Sequence, residues 1–164
     1  PRTTNKPFYE HTWQGGSQFQ PRFATVREVW DTPDSGDSKA VTAWLAPEKD
    51  WTNSGWHFNP AVMDGGFQLL TTFVDDLRLP FRIGELVAEV GAAEPGEGVW
   101  ADFEASAVEA KDMHYRLSYA TAAGKPVLAL TGCHWRTAEL GKLAGMKAKQ
   151  TPKEDAFMFT TTWK

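Results

Sequence analysis

The sequence predicts an α+β fold in which one long helix is wrapped by a curved antiparallel sheet. Three observations predict it. Residues 60–77 place Phe67, Leu70, Val74 and Leu77 at three- and four-residue steps, the apolar stripe of a helix lying on a core. Residues 99–108 alternate Val99, Ala101, Phe103, Ala105 and Ala107 with Trp100, Asp102, Glu104 and Ser106, the period of a strand with one apolar face. Strand-like runs lie before and after the helix, separated by turn-forming residues, and that order suits sheet packed on helix.

Along the chain, Phe8 to Trp13 mixes aromatic and polar residues and is expected as a short strand, broken at Gly15-Gly16-Ser17. Ala24 to Trp30 and Ala40 to Leu45 are expected as a hairpin around the turn Pro33-Asp34-Ser35-Gly36-Asp37. A polar loop over 47–55 carries Trp51. The helix runs from Pro60 to Leu77, with Asn59 as cap and Pro60 at its first position. Gly65 and Gly66 let the sheet approach it closely. Four further strands follow, over 82–90, 99–108, 113–120 and 127–135, with turns over 91–98 and 123–126. Residues 139–154 are short of large apolar side chains and carry Lys142, Lys147, Lys149 and Lys153, which fits a linker. Phe157 to Trp163 has strand character. The expected organisation is a domain over 1–138, a linker over 139–154, and a following domain or docking strand opening over 155–164.

The totals exclude several function classes. A chain of 164 residues suits one domain plus a tail. Eight Trp and ten Phe predict broad aromatic packing. A net charge of −4 argues against nucleic acid, which needs clustered Lys and Arg. No apolar run approaches the roughly 18 residues of a membrane helix, so no membrane partner is expected. No secretory signal is visible, and Cys133 stands as the single cysteine, so the expectation is a cytoplasmic protein. The first residue is not Met, which fits a slice of a longer chain.

Asp64 and Gln68 lie four residues apart and share a helix face, with Asp64 in the second turn of an apolar stretch. A carboxyl there can be tuned for proton chemistry. Burial raises a carboxyl pKa from about 3.9, and a helix N-terminus lowers it; in the second turn the dipole effect is fading, so a raised value is expected. Taken alone, an Asp early in a helix is more often a dipole partner, and Gln68 a core-edge amide. His114 and His134 carry no metal spacing. Asp75 and Asp76 read as a solvated pair, and Cys133 as buried rather than nucleophilic.

Three ordered motifs resemble the C-terminal half of the dehydratase domain of type I polyketide synthases. The family's G-x-x-Y-G-P-x-F corresponds to Gly16-Ser17-Gln18-Phe19-Gln20-Pro21-Arg22-Phe23. Its H-P-x-x-x-D-x-x-x-Q/H corresponds to Asn59-Pro60-Ala61-Val62-Met63-Asp64-Gly65-Gly66-Phe67-Gln68. Its L-P-F-x-I-G corresponds to Leu79-Pro80-Phe81-Arg82-Ile83-Gly84. Phe19 replaces a Tyr, Gln20 a Gly, and Asn59 a His; His57 is not an obvious substitute. The resemblance implies a hot-dog fold, here one half of a double hot dog. It implies Asp64 as the acid that protonates a β-hydroxyl, and Gln68 as its companion. Phe19, Pro21, Phe23, His57, Asn59 and Pro60 are expected to meet substrate. The family's base is a His in an H-x-x-x-G-x-x-x-x-P motif of the N-terminal hot dog. Here His11 has Gly15 but no following proline at the required step, so the active site in this chain is incomplete. The implied substrate is a β-hydroxyacyl chain on the phosphopantetheine of an acyl carrier protein, in a homodimeric multifunctional synthase, with no metal or redox cofactor. One rival reading is a degenerate hot dog that binds or shapes the chain, or mediates dimerisation, without catalysis. A third keeps the fold and changes the reaction to cyclisation or thioester hydrolysis.

Overall fold

The computed structural model describes residues 2–14, 19, 21–35, 38–48, 57–76, 78–91, 96–108 and 112–137. The expected break at 15–17, Trp51, Leu77, the linker over 139–154 and the strand over 157–163 lie outside the described residues, as do Gly16, Ser17, Gln18 and Gln20 of the first motif.

Two helices and eight strands are described: β1 (Arg2–Thr4), α1 (Asn5–Gln14), β2 (Val26–Ser35), β3 (Ser38–Leu45), α2 (Pro60–Gln68), β4 (Arg78–Arg82), β5 (Glu85–Ala88), β6 (Val99–Val108), β7 (Asp112–Thr121) and β8 (Pro126–Thr137). The strands make one antiparallel sheet in the order β1-β2-β3-β6-β7-β8-β4, with β5 also paired to β8. Alternation sets its faces. Val41, Phe103, Leu117 and Leu130 run across β3, β6, β7 and β8 in register on the buried face. Ala43, Ala101, Tyr119 and Leu128 form the next row. The outer face of β2, β3 and β6 carries a tilted ladder of Trp30, Trp100 and Trp44, with ring centroids 5.3 and 5.1 Å apart.

Helix α2 lies on the buried face, and its glycines explain how closely. A Cβ on Gly66 would sit 2.7 Å from Tyr119 Cζ and 3.0 Å from Leu117 Cδ2. The short Ala43 and Ala101 leave Tyr119 the depth to stand under the helix, where its hydroxyl donates 2.6 Å to Met63 O. Gly65 similarly abuts Thr25, whose hydroxyl donates to Ala61 O at 3.0 Å.

Three expectations about the elements are corrected. Phe8 to Trp13 is helix, not strand. Phe8, Tyr9 and Thr12 are its buried residues, a helical spacing that the intervening polar residues disguise. The central helix is shorter than residues 60–77. Regular α-helix ends at Gln68 and a 3-10 turn covers Leu69–Thr72, where Thr71 and Thr72 hydroxyls donate back to Gln68 O and Leu69 O. The expected strand over 82–90 is broken and displaced: β4 ends at Arg82 and β5 covers only Glu85–Ala88, with Gly84 between them closing on the backbone of Thr131 and Gly132. That edge leaves apolar side chains in the open: Phe81 is 59% exposed, Leu86 51% and Val87 52%. The short β1 was not legible in the sequence.

Asn59 caps α2 as its type predicts. Its backbone is extended, and its side chain accepts from Ala61 N at 2.9 Å and Val62 N at 3.4 Å. Asn59→Ala is expected to cost about 1 kcal/mol of stability, measurable as a lower urea midpoint of the intact protein. An unchanged midpoint would show that the cap is not needed.

Candidate functional site

Pro60 and the Asn59 cap start α2 at a fixed point, and four residues later the helix aims Asp64 at the side of the core. Asp64 lines a cavity of about 310 Å³ together with Phe19, Phe67, Gln68, Arg78 and Trp135. α2 supplies the acid and the amide, β4 supplies Arg78, and β8 supplies Trp135. Phe67 meets Trp135 edge to face at 5.9 Å, which makes one wall apolar.

Asp64 and Gln68 are joined directly. Gln68 Nε2 donates to Asp64 Oδ2 at 2.8 Å and to Phe23 O at 2.8 Å. Gln68 Oε1 accepts from the Tyr9 hydroxyl at 2.7 Å. Burial raises the Asp64 pKa above its ordinary value, and the Gln68 hydrogen bond opposes that without cancelling it. The carboxyl is therefore held toward its protonated form, the form that can donate.

The other expected site residues divide. Phe19 lines the cavity and packs on the Tyr9 ring at 6.0 Å. Pro21 and Phe23 form a 3-10 turn beside it; Pro21 faces a neighbouring groove with Phe19, and Phe23 acts through its backbone carbonyl. His57 is exposed and does not line the cavity. Asn59 and Pro60 start the helix and do not line it either.

Sequence reasoning missed Tyr9, Asp76, Arg78 and Trp135. Asp76 is not merely solvated, as its pairing with Asp75 suggested. It lines the cavity, accepts from Arg78 Nε at 3.0 Å and from Thr137 at 2.8 Å. Burial pulls Asp76 upward, but the hydrogen bonds from Arg78 and Thr137 outweigh it and lower its pKa. No local spacing signals these groups: Tyr9 arrives on α1, and the pairing of β4 with β8 brings Arg78 and Trp135 together. Cys133 is buried as expected, and burial pushes its thiol up. His134 stacks on His114 with ring centroids 4.6 Å apart. Among the described residues no group of His, Cys, Asp and Glu is placed to hold a metal ion. Among those residues, too, no helix is long and apolar enough to cross a membrane.

Residues 1–144 match the family model described as polyketide synthase dehydratase N-terminal domain. That description names the N-terminal half, where the motifs resemble the C-terminal one. A dehydratase domain of a trans-AT polyketide synthase from Brevibacillus brevis superposes with a TM-score of 0.72 at 20% identity, covering 85% of this chain and 49% of that one. The dehydratase domain of a mycocerosic acid synthase-like polyketide synthase gives 0.71 at 17%, covering 87% and 51%. The dehydratase domain from the CurJ module of curacin polyketide synthase gives 0.69 at 16%, covering 84% and 50%. The fold is thus the hot dog of these dehydratase structures, and the chain spans roughly half the length of each. No curated protein matches the chain.

Proposed function

Because the chain belongs to the polyketide synthase dehydratase family, we propose that it forms the acid-bearing, C-terminal half of a double hot-dog dehydratase. The observation that carries this reading is the half-buried Asp64, protonation-favoured and tied to Gln68, at the wall of an apolar-sided cavity. The substrate is a β-hydroxyacyl thioester on the phosphopantetheine arm of an acyl carrier protein.

Water loss then proceeds as an acid–base elimination. A His of the N-terminal half removes the α-proton, which the thioester acidifies. The electron pair of that C–H bond forms the Cα–Cβ double bond as the Cβ–O bond breaks. Asp64 passes its proton to the departing oxygen, which leaves as water rather than as hydroxide. Each proton transfer is worth about a hundredfold to ten-thousandfold. The products are an α,β-unsaturated thioester, water, a protonated His and an Asp64 carboxylate; the His then releases its proton to solvent and Asp64 regains one from it.

Two further observations favour this half. His11 is exposed, with Nε2 against Thr71 O and Asp75, and is not among the residues lining the Asp64 cavity. In this reading the base comes from the other half. The exposed apolar edge of β4 and β5 is the kind of surface a second unit covers.

A raised Asp64 pKa has a kinetic consequence. Asp64 donates only while protonated, so activity is retained below its folded pKa and lost as pH rises through it. The kcat profile of the intact protein, followed by enoyl-thioester absorbance, is expected to fall on its alkaline side at a pH above the ordinary carboxylate range. A rate that only increases from neutral into alkaline pH would contradict Asp64 as the acid.

A further inference from the structure

The hydrogen bonds around Gln68 settle more than its contact with Asp64. Phe23 O is a carbonyl and can only accept. The end of the Gln68 amide facing it, at 2.8 Å, is therefore the NH2 group. Its second hydrogen goes to Asp64 Oδ2, also at 2.8 Å. Oε1 must then face Tyr9, 2.7 Å away, and the Tyr9 hydroxyl must donate to it. The same hydroxyl accepts from Val26 N at 3.1 Å, so its one proton is free for Gln68 alone. Every donor in the chain from Val26 to Asp64 thus has a fixed direction.

We propose that Tyr9 is a positioning residue for dehydration: through Gln68 it reserves Oδ2 of Asp64 as an acceptor and so places the transferable proton on Oδ1. A proton on Oδ2 would meet the Gln68 N–H head on. The assignment rests on the reading of Asp64 as the acid. It also answers the missing hydroxyl at Phe19. The ring of Phe19 packs on Tyr9, and the hydroxyl that bears on the acid comes from α1 instead.

The surroundings fit this role. Burial raises the Tyr9 pKa, so its proton stays in place throughout the working range. Among the described residues, Arg27 acts on Tyr9 electrostatically, and Asp64 acts on both Tyr9 and Tyr119. Asp76 and Arg78 line the same cavity but are paired with each other at 3.0 Å. Among the described residues they are the charged groups that share the cavity with Asp64 from outside α2.

Tyr9→Phe keeps the ring packing and removes the hydroxyl, which is both the donor to Gln68 and the acceptor of Val26 N. In the intact protein it is expected to lower kcat about tenfold while KM stays within about twofold. It is also expected to move the alkaline limb of the kcat profile upward, because a loosened Gln68 supports the Asp64 carboxylate less. A variant that loses stability but keeps the wild-type kcat and alkaline limb would overturn the proposal. Neutron diffraction from deuterated crystals of the intact protein gives a readout that needs no activity and no variant. Deuterium on Tyr9 Oη aimed at Gln68 Oε1, and on Asp64 Oδ1, is expected. Deuterium on Oδ2, or a Gln68 amide turned the other way, would overturn it. If Asp64→Asn left dehydration intact, the acid assignment would fail, whereas the proton positions would still be read independently.

Discussion

Replacing Asp64 with Asn is expected to slow water loss from a β-hydroxyacyl thioester about a thousandfold, within the range that general-acid catalysis supplies. Asn matches the carboxyl in size, and its carbonyl oxygen can accept from Gln68 Nε2 as Oδ2 does. Binding should therefore survive and the loss should fall on kcat. The chemistry offers a sharper form of the same experiment. A β-acyloxy substrate carries a leaving group that departs as a carboxylate and needs no proton. Asp64→Asn should eliminate from that substrate at close to the wild-type rate. If it is equally slow on both substrates, Asp64 is doing something other than donating a proton.

The same substitution should change how stability depends on pH. The folded-state pKa of Asp64 is raised, so the folded protein holds that proton more tightly than the unfolded chain does. The resulting stabilisation is complete below the unfolded value, about 3.9, and is lost as pH rises through the folded value. Above the folded value the ionised carboxylate is a cost that Asn does not carry. Asp64→Asn should thus gain on the wild type as pH rises through the folded value, and the comparison should tilt toward the wild type in acid.

Gly66→Ala is expected to be the most damaging small substitution on α2. The added methyl group would overlap the Tyr119 ring, 2.7 Å from Cζ, and press on Leu117 Cδ2 at 3.0 Å. Neither neighbour can retreat, because both lie in the fully packed rows of β7. Overpacking together with loss of the Tyr119 bond to Met63 O should cost about 3–4 kcal/mol. Urea unfolding of the variant measures this. A loss below about 1 kcal/mol would mean that α2 is free to lift from the sheet, and the fixed position of Asp64 would then lack its support.

What the sequence made legible follows from the range of the forces involved. The strands β6 and β7 announce themselves by alternation, because each has one buried face and one wet face. The start of α2 is equally plain, because capping by Asn59 and the fit of Pro60 are local effects. The pairing of Asp64 with Gln68 follows from helix geometry alone. Helix α1 was misread because its buried residues, Phe8, Tyr9 and Thr12, include polar types, and Trp13 beside them is exposed. The end of α2 was overrun because Phe73 and Val74 stay packed against the core after the helix has tightened and stopped. Tyr9, Asp76 and Arg78 could not be found as site residues by spacing. Tyr9 arrives by α1 docking beside β2, and Arg78 by the pairing of β4 with β8.

The central claim is that Asp64 donates the proton that lets hydroxide leave as water. Intact-mass measurement of a β-hydroxyacyl-loaded acyl carrier protein, incubated with the intact protein or with its Asp64→Asn variant, tests it most directly. Loss of the mass of one water with the wild type, and none with the folded variant in the same interval, is the predicted result. Equal water loss with both would contradict the role of Asp64, and none with either would favour the rival reading of a hot dog that holds the acyl chain without dehydrating it.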